Sequence, residues 1–237
     1  MHRVSFGTLI AGCLLFAGIA SAQLVQFPKG DAAWTVNITY PQSSAPTPTP
    51  QPAGGGNAKA TPQASPKMKK IDIAQFGGQK RIFITWTDGH TSQEWTIPDL
   101  PVVFKDYPNG RVFPVGNGSM EHRYDDANMP ANPSAFSWIT PECLKQKDPV
   151  NFQGQMCYHY EGTSSAQIAQ PRGNKGAGIS IVKPEQAWID SKTLLPVGLY
   201  TETSLCMFTF QPPPAGPLGM PQKFQEAISS YKHVMGF

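Results

Sequence analysis

The sequence lacks the residue patterns by which most enzymes are recognised. It contains no Gly-x-Ser-x-Gly nucleophile motif, no phosphate-binding loop and no dinucleotide-binding glycine fingerprint. Its histidines are scattered, and none stands at the spacing to another histidine or cysteine that a zinc site usually shows. These absences predict a protein that is not an enzyme and that holds neither a cofactor nor a metal.

Charge is also scarce, because only 15% of the residues are charged and the formal net charge is +3. Such a balance argues against nucleic acid as the main partner. Beyond the N-terminus, no stretch of the sequence is apolar enough to predict a membrane span. The 24 prolines and 22 glycines are typical of a loop-rich, mainly β protein, and the length outside the obvious linker predicts a single domain.

The N-terminal segment MHRVSFGTLIAGCLLFAGIASAQ has the layout of a secretory signal peptide. His2 and Arg3 precede an apolar run that ends in small residues at Ala22. We predict cleavage after Ala22, which removes residues 1–22 and leaves residues 23–237 as a secreted or periplasmic domain. The alternatives are an uncleaved anchor, for which the run is barely long enough, and lipid attachment at Cys13, which lies in the middle of the run rather than at its end.

Cysteine is rare, and Cys143, Cys157 and Cys206 are the ones that follow the signal segment. In an oxidising compartment an odd number permits one disulfide and one leftover thiol within a chain. We predict a disulfide between Cys143 and Cys157, because the intervening residues include Lys147-Asp148-Pro149, where the chain can turn back. Cys206 lies in an apolar strand pattern and is expected to be a buried thiol.

Alternating apolar residues predict antiparallel strands. The stretch AWTVNITY, from Ala33 to Tyr40, alternates in this way. Gly77-Gly78 and Asp88-Gly89 then separate three further alternating stretches, which predicts consecutive hairpins. Between the first and second strands lies a Pro/Gly-rich insertion at 41–66 without a large apolar residue, which we expect to be disordered.

Helical patterns are confined to two short segments. Thr140 followed by Pro141 predicts the start of a short helix, because these residue types favour the N-cap and the first helical position. The spacing of Phe224, Ile228 and Val234 predicts a terminal helix over 221–233. The predicted fold class is therefore mainly β, with an antiparallel sheet and one or two short helices.

Two motifs in the C-terminal third resemble the outer-membrane lipoprotein carrier (LolA-like) superfamily. FQGQMCYHYEG resembles a strand opening of that superfamily, and AWIDSKTLLPVGLY followed by LCMFTFQ resembles its recurring hairpin. The resemblance covers residues 155–210. It implies a curved antiparallel sheet, a LolA-like half-barrel, whose concave face holds acyl chains or another apolar partner. The apolar turn after Asp190 would then pack under a lid.

The leading hypothesis is a non-enzymatic protein that binds a hydrophobic or lipid-like ligand, or a lipidated partner, in this half-barrel. The candidate ligand-binding residues are large apolar side chains on the strands and at the sheet edge: Trp86, Trp95, Tyr158, Trp188, Leu194, Leu195 and Phe208. One alternative is an envelope protein–protein interaction module without a cavity, in which the insertion or an edge strand docks a partner. Another is a secreted hydrolase that depends on Glu94, which could act with Asp88, or on His159 beside Cys157.

Overall fold

A computed structural model describes residues 24–41, 65–107, 109–116, 130–168 and 179–237, with the backbone alone at 164–168 and 179–182. The predicted signal peptide and residues 42–64 of the predicted insertion lie outside these described residues. Among the described residues, no helix is both long and apolar enough to cross a bilayer.

Eleven strands can be assigned in the described part of the chain, and they form one antiparallel sheet in the order β6-β5-β4-β3-β2-β1-β11-β10-β9-β8-β7. They are β1 (Ala32–Thr39), β2 (Met68–Phe76), β3 (Gln79–Trp86), β4 (Thr91–Thr96), β5 (Val102–Asp106), β6 (Val112–Gly116), β7 (Val150–Phe152), β8 (Gln155–Ile168), β9 (Ile179–Asp190), β10 (Pro196–Thr201) and β11 (Ser204–Gln211). The sheet is open and curved, which confirms the predicted fold class.

The predicted hairpins between β2, β3 and β4 are present, and glycine explains the tight turns. Gly77 and Gly78 have φ angles of 57° and 81°, and Gly89 has a φ angle of 89°. Residues with a Cβ rarely adopt these left-handed conformations, whereas glycine adopts them at little cost. The turns therefore place Phe76 opposite Gln79, and Thr85 opposite Thr91.

Strand β1 joins two local meanders into the single sheet. Strands β2 to β6 follow one another on one side, and β7 to β11 follow one another on the other. Trp34 of β1 pairs with Ile73 of β2 and with Phe210 of β11. The centre of the sheet therefore depends on pairing between residues that are distant in sequence.

One helix and two 3-10 turns accompany the sheet in the described residues. Helix α1 (Gln222–Met235) confirms the predicted terminal helix and ends at Gly236, whose φ angle of 76° is typical of a helix C-terminus. The predicted short helix is a 3-10 turn at Pro141–Cys143, with Thr140 at its N-cap and Pro141 in its first turn. Another 3-10 turn spans Pro133–Phe136.

Side-chain alternation gives the sheet two faces of different composition. The core face carries buried aliphatic side chains from both meanders: Val36, Ile71, Ile73, Ile84, Ala187, Ile189 and Leu199. The opposite face carries the residues that alternate with them, among them Thr35, Asp72, Phe83, Trp95 and Trp188.

Candidate functional site

Two segments of the chain lie over the core face. Residues 24–27 and 130–144, the cover segments, contain neither an α-helix nor a strand of the sheet. Their apolar side chains pack against the buried core-face residues: Leu24, Val25, Phe27, Ala131, Ala135, Phe136, Trp138, Ile139, Cys143 and Leu144. The core face is therefore covered by irregular chain where these segments cross it.

Aromatic rings form the centre of the contact between the cover segments and the sheet. Phe136 lies 5.6 Å from Phe208 of β11, and Phe27 lies 5.7 Å from Phe136 and 6.2 Å from Trp34, measured between ring centroids. Pairs at these distances contribute about 0.5–1.5 kcal/mol beyond the burial of their area. This core-face aromatic cluster, Phe27, Trp34, Phe136 and Phe208, joins both cover segments to strands β1 and β11.

Among the described residues, few backbone hydrogen bonds join the cover segments to the rest of the protein. The N–H of Gln26 donates to the carbonyl oxygen of Leu194 at 2.8 Å. A single bridge pairs Leu144 with Tyr160 of β8. Gly162 of β8 lets Trp138 approach closely, because a Cβ at that position would lie 2.5 Å from the Trp138 ring. Side-chain packing therefore contributes most of the described contact between the cover segments and the sheet.

The turn after Asp190 receives the first cover segment. The Oδ1 atom of Asp190 accepts hydrogen bonds from the backbone N–H groups of Lys192 and Thr193, at 3.0 and 2.7 Å, and from the Thr193 hydroxyl. Burial raises the pKa of Asp190, but these hydrogen bonds outweigh it, so that the pKa lies below its usual value. Leu194 follows with a φ angle of 58°, and its side chain packs against the core face. Leu194, the apolar residue after the polar turn, therefore packs against the buried residues of the core face, and its carbonyl oxygen accepts the hydrogen bond from Gln26.

The structure divides the sequence-predicted ligand residues between the two faces. Four of them lie on the core face. Phe208 is one of its buried residues, and the partly buried side chains that pack against those residues include Trp86, Tyr158 and Leu194. Leu195 is half-buried in the turn, and its carbonyl oxygen accepts a hydrogen bond from the N–H of Asp190. Trp95 and Trp188 lie on the opposite face, so these two candidates do not share a surface with the candidates on the core face.

Trp95 is buried between the opposite face and helix α1. Its indole ring lies 6.0 Å from the ring of Phe224, and both side chains have 0% exposure. The register places Trp95 opposite Arg81 and Phe104, which are opposite-face residues of β3 and β5. Trp95 therefore belongs to the helix-side cluster, which consists of Trp95, Leu100, Val102, Phe104, Phe224 and Ile228.

Trp188 belongs to a stack of three rings on the opposite face, at the β7–β10 end of the sheet. Its ring lies 4.2 Å from that of Phe152 at an angle of 8°, and 4.9 Å from that of His159 at an angle of 5°. Gly198 lies against these rings, and a Cβ there would come within 2.8 Å of Phe152. The stack therefore requires a residue without a side chain at position 198.

The residues of the hydrolase hypothesis are engaged in other contacts. Asp88 pairs with His90 within its turn. Glu94, whose side chain is 4% exposed, lies on the core face with its Oε1 atom 3.2 Å from the Lys105 ammonium. His159 stacks on Trp188, and burial, with a smaller effect of the Asp190 charge, raises the pKa of the Cys157 thiol to about 11. A thiol with such a pKa is protonated at neutral pH and is a poor nucleophile.

The predicted disulfide is not formed, and the three described cysteines are free thiols. Cys143 lies on the core face, where its Sγ atom would be 3.2 Å from a Cβ at Gly162. Cys157 shares the other side of β8 with His159, five residues along the strand from Gly162. The sheet therefore separates the two sulfur atoms. Cys206 is buried, as predicted. In the ranges that the structure covers, no three His, Cys, Asp or Glu side chains are grouped to hold a metal ion.

No family model matches this chain, and no curated protein matches its sequence. The solved structures that are similar to it include two mycobacterial proteins. One is LprF from Mycobacterium bovis, with 14% sequence identity and a TM-score of 0.39, over 82% of this chain and 90% of that chain. The other is the lipoprotein LppX from Mycobacterium tuberculosis, with 12% identity and a TM-score of 0.40, over 81% of this chain and 89% of that chain.

Proposed function

We propose that this protein is an extracytoplasmic, non-enzymatic binding protein that takes up the acyl chain of a lipid between the core face and the two cover segments. The observation behind the proposal is that a continuous apolar sheet face is covered by irregular chain, which few backbone hydrogen bonds between described residues join to the sheet. The sequence resemblance to LolA-like proteins and the signal-like N-terminus support the same function.

The size of the apolar contact makes acyl binding energetically reasonable. Each methylene group that leaves water contributes about 0.8 kcal/mol, so a chain of about ten buried methylenes offers roughly 8 kcal/mol before the costs of binding. The displacement of the cover segments from the sheet costs part of this free energy. Their contacts with the sheet include the rings of Phe27 and Phe136.

Removing a ring of the core-face aromatic cluster should raise the affinity of the protein for an acyl chain. Phe136 occupies apolar space against Phe208 that an acyl chain would fill. Replacing Phe136 by Ala removes this internal competitor, and an apolar cavity left in this way stays dry and accepts apolar ligands. We therefore expect F136A to bind an acyl probe about tenfold more tightly than the unmodified protein.

The test uses delipidated mature protein and dansyl-undecanoic acid, whose fluorescence rises on transfer from water to an apolar site. Trp188→Ala is the matched control, since it removes a ring from the opposite face, and it should bind the probe as the unmodified protein does. Circular dichroism and thermal melts establish that each variant is folded, and Phe27→Ala serves as a second core-face variant if F136A does not fold. Binding that is lost in W188A and unchanged in F136A contradicts the proposed site.

A second candidate function is a protein–protein interaction module that holds no ligand. The observation in its favour is that the rings of Phe27 and Phe136 already pack on Trp34 and Phe208. Native mass spectrometry of the protein purified from its own compartment separates the two functions. Adducts of lipid mass support the acyl-binding proposal, whereas a clean protein mass together with no probe binding in any variant favours the module.

A further inference from the structure

An open groove of about 430 Å³ lies on the opposite face, across strands β11, β1, β2 and β3. It is separate from the core face, because the sheet itself lies between the two. None of its lining residues belongs to the helix-side cluster or to the ring stack at Trp188, although Arg81 pairs with Trp95. Trp34 and Ile73 also line the groove, but their side chains belong to the core face.

The register explains why the groove exists. Gln211, Ala33, Ala74 and Arg81 form one row across the four strands, since Ala33 pairs with both Gln211 and Ala74, and Ala74 pairs with Arg81. The two alanines leave a low apolar floor, and the longer side chains of Gln211 and Arg81 stand on either side of it. The strands that carry these walls are roughly 14 Å apart, from three spacings of about 4.8 Å.

The acidic side chain of the groove is already compensated. Asp72 accepts a hydrogen bond from the hydroxyl of Thr35 at 2.6 Å and pairs with the ammonium of Lys70 at 2.9 Å. The side-chain amide of Gln211 donates to the same Thr35 hydroxyl at 3.3 Å. These groups form a satisfied network at the floor of the groove, so that Asp72 is not the partner of Arg81.

Arg81 is the group in the groove whose bonding is incomplete. Its Nε atom is buried and has no hydrogen-bond partner. A guanidinium is charged at every accessible pH, and a buried donor without an acceptor destabilises the protein. Because Lys70 and Asp72 neutralise each other, Arg81 gives the groove one uncompensated positive charge.

We propose that this groove binds a small oxyanion ligand, a carboxylate or phosphate that carries a short apolar body. The oxyanion would accept hydrogen bonds from the terminal N–H groups of the Arg81 guanidinium, in the paired geometry that arginine favours with such anions. The apolar body would lie on the floor of Ala33 and Ala74, beside the ring of Phe83. The ligand of the groove is therefore chemically distinct from the long acyl chain proposed for the core face.

The test is an NMR titration of ¹⁵N-labelled mature protein at pH 7 and constant ionic strength. The Nε–H resonance of Arg81 and the backbone amide resonances of Ala33 and Ala74 are followed while sodium butyrate, sodium acetate or sodium phosphate replaces sodium chloride. We expect saturable shifts with millimolar affinity, on the order of 1–10 mM. Butyrate should bind more tightly than acetate if a carboxylate with an apolar body is preferred, and phosphate should bind more tightly than either if it is the better oxyanion.

Two variants locate the binding. R81Q should weaken it at least about tenfold, the effect of losing one charge-assisted hydrogen-bond pair. Ala74→Leu should weaken it by filling the floor while Arg81 is retained. Arg111→Gln is the matched control, because Arg111 is exposed in the turn before β6, and it should bind as the unmodified protein does.

The proposal is overturned if none of the salts produces a saturable shift at about 50 mM, a concentration above any useful affinity. It is also overturned if the shifts persist unchanged in R81Q. The acyl-probe measurement is independent of these outcomes, since it reports on the core face. Loss of probe binding with retained groove binding would therefore contradict only the proposed function.

Discussion

On the core face, irregular chain packs over an apolar surface, whereas on the opposite face a regular helix covers one end and leaves the centre open. Helix α1 is fixed to the sheet both by the buried helix-side cluster and by an ion pair of 2.8 Å between Lys223 and Asp106. The described contacts of the cover segments are mainly aromatic packing, with few backbone hydrogen bonds. The two covers should therefore differ in stability, and the irregular cover is the one suited to opening.

The largest expected effect concerns the helix-covered end. Phe224→Ala removes a fully buried ring from between α1 and the sheet and should lower the free energy of unfolding by about 3–5 kcal/mol. Phe27→Ala, in the cover segment of the core face, removes a partly buried ring and should cost less, about 1–3 kcal/mol. Urea unfolding of both variants measures the difference. If both variants lost the same free energy of unfolding, the proposed difference in stability between the two covers would be wrong.

A smaller effect is expected at the ring stack of the opposite face. Gly198→Ala places a Cβ within 2.8 Å of Phe152 and 3.2 Å of Trp188, so at least one of these rings must move. The free energy of unfolding should fall by about 1–3 kcal/mol, as for other overpacked sites. Near-ultraviolet circular dichroism would report the displaced tryptophan. Gly216→Ala is the control, because no atom lies within 4 Å of the added Cβ; a G198A protein as stable as this control would show that the rings adjust freely.

The smallest effect concerns the turn that binds the first cover segment, and it depends on pH. The folded-state pKa of Asp190 is lowered by hydrogen bonds from Thr193 and Lys192. A carboxyl with a depressed folded pKa stabilises the protein above its unfolded pKa of about 3.9 and loses this contribution as pH falls through the folded pKa. Asp190→Asn does not titrate, so its stability deficit relative to the unmodified protein, about 0.5–1 kcal/mol at neutral pH, should shrink below about pH 4.

Thermal unfolding between pH 7 and 3 measures this difference for Asp190→Asn. Asp148→Asn serves as the control for general charge effects, because Asp148 is exposed. A deficit that stays constant across this range would contradict the role assigned to the Asp190 carboxylate. A deficit that shrinks equally in both variants would assign the effect to net charge rather than to the turn.

Much of the fold could be predicted from local sequence signals. Gly77-Gly78 and Asp88-Gly89 specify tight hairpin turns by their backbone conformation alone, and the structure has hairpins at both positions. Alternation within each strand also predicted which residues share a side, as for Cys157 and His159 of β8. These signals act over a few residues, so a single sequence is sufficient to reveal them.

The relation between faces of different strands could not be predicted in the same way. Alternation shows that Trp95 and Trp188 point away from their strand neighbours, but the register decides which sheet face that is. Trp95 aligns with Arg81 rather than Ile82, and Trp188 aligns with His159 rather than Tyr158. The disulfide between Cys143 and Cys157 was wrongly predicted for the same reason. The number of residues between two cysteines does not show on which side of a sheet each one lies.

The groove was missed for a related reason. Its floor consists of Ala33 and Ala74, two unremarkable residues that meet only because β1 and β2 pair in one particular register. A signal did exist in Arg81, an arginine within an alternating strand that has no acidic residue nearby in sequence. Alternation alone places such a residue on the polar side of its strand and gives no indication of a neighbouring floor.

The pairing of β1 with both β2 and β11 also has a consequence for the time course of folding. Each meander forms from contacts between neighbouring strands, whereas Ala33 must find Gln211 at the far end of the sequence. Contacts of such long range are slow to form, because the entropy of closing the loop is lost before the contact is gained. A chain that is synthesised or exported from its N-terminus therefore leaves one edge of β1 unpaired until β11 has emerged. During that interval this exposed edge is open to a chaperone and to aggregation.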